Sequence, residues 1–321
     1  MPYIDPQVVP IIENMKIMRE QNGPISGVEP KVMRSNFAKD VKNWNTNLPV
    51  MAANRDFSIA TSAGEIPVRL YDPAPDKELL PTMIFIHGGG WIVGDLDTNE
   101  RFLRLLSLRA GIRILSIDYP LAPEYPFPIA LNCNKEILLK VAQDGKRWGL
   151  DCDNLCIGGD SAGANLALSV ALDLKNEGHH FLKQITLIYG AFSPDSTKPS
   201  FLEFGQGDYG MGDEAMDYFW RLYLGGDKNK SDPRAAPLLA DVKGLPVTDL
   251  YIAGLDPLQD DSILLAEKLQ QACVKYSLNS YPGMIHGFIS LCGLINEGDK
   301  AISDMAAKLR LLFGSKNQVS C

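Results

Sequence analysis

Short apolar runs alternate with amphipathic helical patterns along most of the chain. Six runs with the length and composition of buried strands lie at residues 82–87, 113–119, 154–159, 184–189, 249–254 and 276–281. An alternating hairpin pattern at residues 57–61 and 66–71 precedes them. Buried strands separated by helices are typical of a mostly parallel sheet between two helical layers. The pattern therefore predicts an α/β protein.

The segment after residue 97 shows the helical pattern in most detail. Asp97 and Glu100 match a capping box, in which two side chains satisfy free N–H groups at a helix start. Phe102 and Leu106 lie on one apolar stripe, and Gly111 suits the left-handed residue that follows many helices. The sequence predicts a helix that begins after Asp97 and ends at Gly111.

Two regions depart from this alternation. Residues 191–247 contain a helical pattern between glycine-rich stretches, and residues 1–50 contain separate helical pieces. In open α/β sheets, ligands bind at the carboxyl edge of the parallel strands. We expect residues 191–247 to be an insertion over this edge, joined there by residues 1–50, so that both form a helical cap. The catalytic α/β domain then comprises residues 51–190 and 248–321.

A five-residue motif carries the strongest chemical signal. Gly159-Asp-Ser-Ala-Gly163 follows a predicted strand and precedes an amphipathic helix at residues 164–177. This pattern between a strand and a helix is typical of a nucleophile elbow, a tight turn that presents the serine hydroxyl at a helix N-terminus. Side chains at the two glycine positions would collide with neighbouring strands. Ser161 is therefore the candidate nucleophile.

A serine hydroxyl needs a base to remove its proton, and the chain has only four histidines. After a nucleophile elbow of this kind, the partners follow in the order serine, acid, histidine. His87 precedes Ser161, while His179 and His180 leave almost no room for an acid-bearing strand before them. His286, in the loop after the last predicted strand, remains as the candidate base.

The acid that orients the base must lie between these two residues, directly after a strand. Asp256 follows the predicted strand at residues 249–254 and leads into a helix. Asp260 and Asp261 are alternatives, but both fall inside that helix, where they suit its first turn. We expect the Asp256 carboxylate to hold the tautomer of His286 and to stabilise its protonated form.

Three consecutive glycines follow the predicted strand at residues 82–87, in the motif His87-Gly-Gly-Gly-Trp91. Residues without a Cβ let backbone N–H groups approach a ligand closely. Two of Gly88, Gly89 and Gly90, together with the N–H of Ala162, are predicted to donate to the oxyanion of a tetrahedral intermediate. Which two of the three glycines donate stays open. His87 is expected to anchor the loop.

Five motifs together resemble the hormone-sensitive-lipase family of carboxylesterases, which has the α/β-hydrolase fold. They are His87-Gly-Gly-Gly-Trp, Asp118-Tyr-Pro-Leu-Ala-Pro-Glu124, Gly159-Asp-Ser-Ala-Gly, Asp256-Pro-Leu-Gln-Asp and His286-Gly-Phe. Gly94-Asp-Leu-Asp-Thr and Arg101-Phe-Leu-Arg-Leu-Leu are similar to the bacterial acetyl esterase branch. The resemblance implies hydrolysis of short-chain acyl esters without a cofactor, beneath a cap, with the last two or all three loop glycines in the oxyanion hole. Pro120 departs from the pattern, since many members carry arginine there.

Composition narrows the classes of partner. The 321-residue chain has a net charge of −8, which argues against a nucleic-acid-binding surface. No apolar run approaches the roughly 18 residues of a membrane span, and the six cysteines show no metal-ligand spacing. The start of the chain lacks the basic region of a secretion signal. We expect a cytoplasmic protein that acts on a small-molecule acyl ester without metal or cofactor. A homodimer is left open.

Two other functions fit parts of the pattern. An amidase or deacetylase would use the same serine, histidine and aspartate, because amides and esters share the acyl-enzyme route. Hormone receptors of this fold bind a ligand without turnover and resemble the same family, but they lack the catalytic histidine that His286 supplies here. The natural substrate and the upper limit of acyl length stay open.

Overall fold

A single eight-stranded sheet occupies the centre of the protein, whose computed structural model describes residues 2–314. Cys321, one of the six cysteines, lies outside the described residues. In chain order the strands are β1 Ala53–Thr61, β2 Gly64–Asp72, β3 Thr82–Ile86, β4 Arg113–Ile117, β5 Leu155–Asp160, β6 Leu182–Ile188, β7 Val247–Leu255 and β8 Tyr276–Ile285. Across the sheet their order is β1-β2-β4-β3-β5-β6-β7-β8. Strand β2 pairs antiparallel with β1 and β4, and all other neighbours are parallel.

Helices cover both faces of this sheet. Within residues 2–314 the α-helices are α1 Val9–Asn22, α2 Pro30–Trp44, α3 Glu100–Ala110, α4 Ile129–Asp144, α5 Ala162–Asn176, α6 Pro199–Phe204, α7 Asp213–Leu224, α8 Gln259–Gln271 and α9 Asn296–Gly314. Residues of α4, α5 and α8 pack on one face with Ile84 and Ile86 of β3, while α3 and α9 pack on the other with Met83 and Phe85. The predicted parallel sheet between two helical layers is confirmed. None of these helices is long and apolar enough to cross a membrane.

The start of α3 differs from the prediction. The residue at its N-cap is Asn99, and no side chain caps the helix. Both acidic side chains of the expected capping box bind Arg69 of β2 instead, Asp97 at 2.7 Å and Glu100 at 3.2 Å. The capping box predicted at Asp97 is therefore wrong, because the Asp97 carboxylate pairs with Arg69 of the sheet and does not bind the helix. Gly111 ends the helix in the left-handed conformation, as predicted.

Residues 1–50 and residues 191–247, the two regions outside the alternation of strands and helices, contact each other. Arg19 of α1 donates to the carbonyl of Gln206 at 2.8 Å, and the Tyr218 hydroxyl of α7 donates to that of Val28 at 3.0 Å. Both regions also pack on loops that follow β3 and β4, in an apolar cluster of Met33, Ile92, Val93, Ala122 and Tyr218. Because these loops leave the carboxyl ends of parallel strands, both regions lie at that edge. Their assignment to one cap over a separate catalytic domain stays a prediction.

Candidate active site

Ser161 occupies the sharp turn between β5 and α5. Its backbone has φ 53° and ψ −120°, a conformation that residues with a side chain rarely adopt. A Cβ on Gly163 would lie 2.0 Å from the carbonyl oxygen of Ile86, and a Cβ on Gly159 would lie 2.4 Å from the backbone of Gly163. Both glycines of the motif are therefore sterically required, and the neighbouring backbone fixes the turn that carries Ser161.

The structure brings Ser161, His286 and Asp256 into one hydrogen-bonded line. His286 follows β8, and its Nε2 lies 2.9 Å from the Oγ of Ser161. Asp256 follows β7, and its Oδ2 lies 2.8 Å from the Nδ1 of His286. Strands β5, β7 and β8 are parallel members of one sheet, so the residues that follow them meet at the same edge.

The hydrogen bonds around Asp256 determine how the imidazole is used. Its side chain is almost fully buried, and its second carboxylate oxygen accepts the N–H of Leu258 at 2.8 Å. A carboxylate only accepts hydrogen bonds, so the proton of neutral His286 resides on Nδ1, facing Asp256. This leaves Nε2 free to accept the hydroxyl proton of Ser161.

The two rival acids lie elsewhere. Asp260 accepts the backbone N–H of Ser200 at 2.8 Å. Asp261 is buried and binds the ammonium group of Lys198 and the N–H of Phe192. Both therefore tie the start of α8 to the segment after β6. Burial raises the pKa of Asp261 to about 6, although the Lys198 charge opposes this shift.

The glycine loop departs from the prediction at Gly88. The N–H of Gly88 donates to Oδ1 of Asp160 at 2.8 Å, so its single hydrogen is not available to an oxyanion. A Cβ on Gly88 would lie 2.5 Å from Oδ2 of the same carboxylate. Glycine is needed here so that the Asp160 side chain, and not a substrate, can approach. The inclusion of Gly88 among the oxyanion donors is wrong for this reason.

His87 holds the next peptide of the loop. Burial lowers the pKa of His87 to about 4, so the ring is neutral at physiological pH. Its Nδ1 lies 2.7 Å from the carbonyl oxygen of Gly88, and the Nδ1 hydrogen donates to that oxygen. In a trans peptide the C=O and the following N–H point in opposite directions. The N–H of Gly89 therefore faces away from His87.

Three of the predicted oxyanion donors remain available. Neither Gly89 nor Gly90 donates its backbone N–H to another group within residues 2–314. Ala162 is the first residue of α5, where an N–H has no acceptor within the helix. Two of these N–H groups belong to the loop after β3, whose Gly88 contacts Asp160 next to Ser161, and the third belongs to the helix that follows the elbow. Their role as an oxyanion hole stays a prediction.

Aromatic side chains from α7 pack against the glycine loop. A Cβ on Gly90 would lie 2.7 Å from the ring of Phe219. Trp91 is buried and stacks on Tyr223, with ring centroids 4.3 Å apart, and it also contacts Trp220 at 4.5 Å. The insertion between β6 and β7 therefore forms part of the surroundings of the candidate oxyanion donors.

Sequence reasoning missed a buried pair beside the loop. Asp160, the second residue of the elbow motif, is 6% exposed and accepts Nδ2 of Asn99 at 2.7 Å. Burial raises the pKa of Asp160 to about 6, while the hydrogen bonds from Asn99 and Gly88 oppose the shift. The motif gives the residue type at position 160 but not its partner. Asn99 directly precedes a helix, and no pattern in the sequence links it to Asp160.

An open cavity of about 470 Å³ lies apart from these residues, between α1 and the loop that precedes α7. Its lining carries both charges and includes Lys16, Arg19, Glu20, Gly23, Pro24, Gly207, Asp208 and Glu214. None of the hydrogen-bonded residues around Ser161 contributes to it. Its size alone therefore gives no reason to place the chemistry there.

Comparisons with known proteins identify the family of this chain. A family model described as the alpha/beta hydrolase fold matches residues 83–290. An acetyl esterase from Salmonella choleraesuis is 31% identical over 279 residues, which cover 86% of this chain and 85% of that protein. The strongest candidate chemistry, the Ser161 elbow and the His286 loop, lies within the matched residues.

Solved structures are similar over nearly the whole chain. An ester hydrolase from the metagenome of Lake Arreo, in complex with a bipyridine phosphonate derivative, is 32% identical, with a TM-score of 0.92 and coverage of 97% of this chain and 99% of that one. The hyperthermophilic esterase of the archaeon Pyrobaculum calidifontis is 30% identical, with a TM-score of 0.91 and the same coverage. The chain thus belongs to the hormone-sensitive-lipase family of the α/β-hydrolase fold.

Proposed function

We propose that this protein hydrolyses short-chain acyl esters, with Ser161 as nucleophile, His286 as base and Asp256 as the acid that orients the base. Its relatives make it a serine carboxylic ester hydrolase of the α/β-hydrolase fold. The triad and the short acyl chain are the finer part of the proposal. The observation that carries it is the line of two hydrogen bonds, 2.9 Å and 2.8 Å, from Ser161 through His286 to Asp256.

Acylation follows from this geometry. The Oγ of Ser161 attacks the acyl carbonyl carbon while its proton moves to Nε2 of His286. The carbonyl oxygen becomes an oxyanion that the N–H groups of Gly89, Gly90 and Ala162 stabilise, each such donor being worth about 10²–10³ in rate. The buried carboxylate of Asp256 stabilises the imidazolium. When the C–O bond to the alcohol breaks, Nε2 returns the proton to the departing oxygen.

Deacylation repeats these steps with water. His286 removes a proton from a water molecule, whose oxygen attacks the acyl-enzyme carbonyl. The second tetrahedral intermediate uses the same N–H donors. Its collapse releases the carboxylic acid and returns the proton to Oγ of Ser161. The residues named here complete the cycle without a metal or cofactor.

The preference for short acyl chains rests on what surrounds the glycine loop. Phe219 lies against Gly90, and Trp91 is enclosed by Trp220 and Tyr223. We infer that these aromatic rings limit the length of an acyl chain next to the candidate donors. We expect acyl groups of about two to six carbons to be turned over fastest, since each methylene that a pocket cannot hold costs about 1–3 kcal/mol.

Arg34 anchors the proposed cap to two loops of the sheet. Its guanidinium group donates to the carbonyl oxygens of Ile92 at 2.8 Å and Ala122 at 2.9 Å, and it pairs with Glu124 at 2.6 Å. One side chain from the first fifty residues thus joins the loop after β3 to the loop after β4. This supports the proposal that residues 1–50 cover part of the active site, and the packing of Phe219 on Gly90 supports the same for residues 191–247.

A panel of acyl esters tests this function directly. Nitrophenyl esters with acyl chains of two to twelve carbons, and the matching nitroanilides, are compared by kcat/KM. We expect a maximum at two to six carbons for the esters and much slower turnover of every anilide. Faster turnover of twelve-carbon than of four-carbon esters would count against the short-chain proposal. Preferential cleavage of the anilides would make the protein an amidase.

A further inference from the structure

Three buried or half-buried polar side chains connect the glycine loop to the loop that carries His286. Oδ1 of Asp160 accepts both the N–H of Gly88, at 2.8 Å, and the Nδ2 of Asn99, at 2.7 Å. The hydroxyl of Ser290 donates to Oδ1 of Asn99 at 3.3 Å. These residues come from the elbow, the start of α3 and the turn after His286. The hydrogen bonds therefore join the two sides of the proposed active site.

Asn99 does not perform the role usual for its position. Asparagine is favoured at N-caps because its side chain accepts a free N–H of its own helix. In this structure no side chain caps α3, and the Asn99 amide is directed to Asp160 and Ser290. Asn99 is only 3% exposed. Its buried amide therefore serves the contact with Asp160 rather than the helix.

The position of the glycine loop depends on the Asp160 side chain. Asp160 holds the peptide that precedes Gly88 at its N–H, and His87 holds the peptide that follows Gly88 at its carbonyl. The two contacts together fix Gly88, and with it the direction of the next N–H, that of Gly89. Because Gly88 and Asn99 bind the same carboxylate oxygen, a rotation of Asp160 away from Asn99 would also release Gly88.

We propose that Asn99 is a positioning residue for the oxyanion hole. It holds Asp160 in the orientation that binds Gly88, and through Ser290 it keeps the glycine loop in register with the His286 loop. This inference rests on the proposed function, because it assumes that Gly89 and Gly90 stabilise an oxyanion. Asn99 touches no substrate and acts through Asp160. Its loss should weaken binding of the transition state more than that of the substrate.

The test replaces Asn99 by leucine, which has the same branching and number of side-chain heavy atoms but can neither donate nor accept. For the butanoyl nitrophenyl ester, we expect kcat per active site to fall about 10- to 100-fold, because displacement of catalytic groups by about 1 Å can cost 10² in rate. KM should stay within about threefold, as expected when an interaction is made only in the transition state. Active sites are counted by titration with a phosphonate inhibitor.

Binding of a transition-state analogue separates positioning from general stability. A trifluoromethyl ketone forms a tetrahedral adduct with the nucleophile, so its inhibition constant should rise by the factor by which kcat/KM falls. Asn134→Leu is the matched control, since Asn134 is an equally buried asparagine that bonds within α4. It should lower the melting temperature without changing kcat per active site.

Three further variants decide the proposal even where Asn99→Leu does not fold. Ser290→Ala removes the link between Asn99 and the His286 loop and should lower kcat about three- to tenfold, whereas Ser290→Thr, which keeps the hydroxyl, should restore it. Asn99→Thr retains a donor and should recover most of the lost kcat. If Ser290→Ala, and Asn99→Leu where it folds, keep wild-type kcat and analogue affinity per active site, the proposal is overturned.

Failure of the proposed function gives a different result. If the wild-type protein hydrolyses no ester, or if Ser161→Ala keeps its activity, the catalytic assignment itself is wrong. The positioning role of Asn99 is judged only against a wild-type enzyme that is active and inhibited by the phosphonate. The two failures are therefore distinguishable.

Discussion

The two sides of Ser161 use different kinds of chemical group, side chains on one side and backbone N–H groups on the other. On the base side, Asp256 and His286 are side chains at the ends of adjacent parallel strands, and each contributes its own functional group. On the oxyanion side, the proposed functional groups are backbone N–H groups, which every residue except proline possesses. What selects among them is a set of buried polar side chains, including Asp160, that bind some N–H groups and leave others free.

This difference explains how a substitution acts on each side. A change at Asp256 or His286 removes the functional group itself. On the oxyanion side no substitution removes an N–H, except replacement by proline, so mutations act by moving the backbone or by changing which donors are engaged. We therefore expect large losses of activity on the base side and smaller, graded effects on the oxyanion side.

Removal of the group that both sides serve should have the largest effect. We predict that Ser161→Ala lowers kcat for the butanoyl ester by about 10⁶, since loss of the nucleophile in a triad enzyme costs that much. Circular dichroism should show an unchanged fold. Ser193→Ala, at a half-buried serine outside the triad, should stay within about twofold of wild type. Retention of more than about one hundredth of the activity by Ser161→Ala would falsify the assignment of the nucleophile.

The base side is tested at its acid. Asp256→Asn should lower kcat by about 10⁴ while the fold is kept, because the amide supports the wrong imidazole tautomer and does not stabilise the imidazolium. Asp260→Asn is the control and should stay within about tenfold, since Asp260 binds the N–H of Ser200. An exchange of the two phenotypes would make Asp260 the acid.

The sequence could predict the base side because order and strand ends restrict the choice of residues. Only one of four histidines follows the last strand, and Asp256 directly follows the strand before it. The architecture was predictable for a related reason: buried strands such as β3 and β4 are short and mostly apolar. The elbow glycines were predictable because their steric role is local.

The oxyanion side was predictable only in part, for a physical reason. Three glycines indicated a close approach, but Gly88 accommodates the Asp160 carboxylate and not a substrate. The contact between Asp160 and Asn99 joins residues 61 positions apart, and neither hydropathy nor a local motif encodes it. The expected capping box at Asp97 failed similarly, because Arg69 lies on a strand far along the chain. Local patterns do not show which distant group competes for a polar side chain.

The buried carboxyl group of Asp160 should make the free energy of unfolding depend on pH. The pKa of Asp160 is about 6 in the folded protein, raised chiefly by burial, against about 3.9 in an unfolded chain. At a pH between these two pKa values, Asp160 has lost its proton in the unfolded chain but keeps it in the folded protein. Rising pH therefore stabilises the unfolded chain relative to the folded protein. The contribution of protonated Asp160 is complete below about pH 4 and is lost as pH rises through about 6. Asp160→Asn should not show this loss of stability, because an amide does not ionise.

The measurement is the free energy of unfolding by urea at pH 4 and pH 7, for wild type and for Asp160→Asn. The difference, variant minus wild type, should increase by up to about 3 kcal/mol between the two pH values, because one pKa unit corresponds to about 1.4 kcal/mol. Exposed Asp153 provides the control, and the difference for Asp153→Asn should change by less than about 0.5 kcal/mol. A difference for Asp160→Asn that falls with rising pH would contradict the prediction.

The smallest effect is expected where α7 contacts the oxyanion side. The Phe219 ring packs on Gly90, and its replacement by alanine should open space beside the candidate donors without moving His286 or Asp256. We predict that Phe219→Ala raises the ratio of kcat/KM for the octanoyl ester to that for the butanoyl ester by about tenfold, the scale of one methylene in an apolar pocket. Turnover of the acetyl ester should fall less than threefold, since the donors themselves remain.

Leu222 lies on the same helix and packs against the cluster of Met33 and Ile92, so Leu222→Ala serves as the control. An equal change of the ratio in both variants would mean that α7 acts through general loosening of the cap, and that Phe219 does not limit the acyl chain.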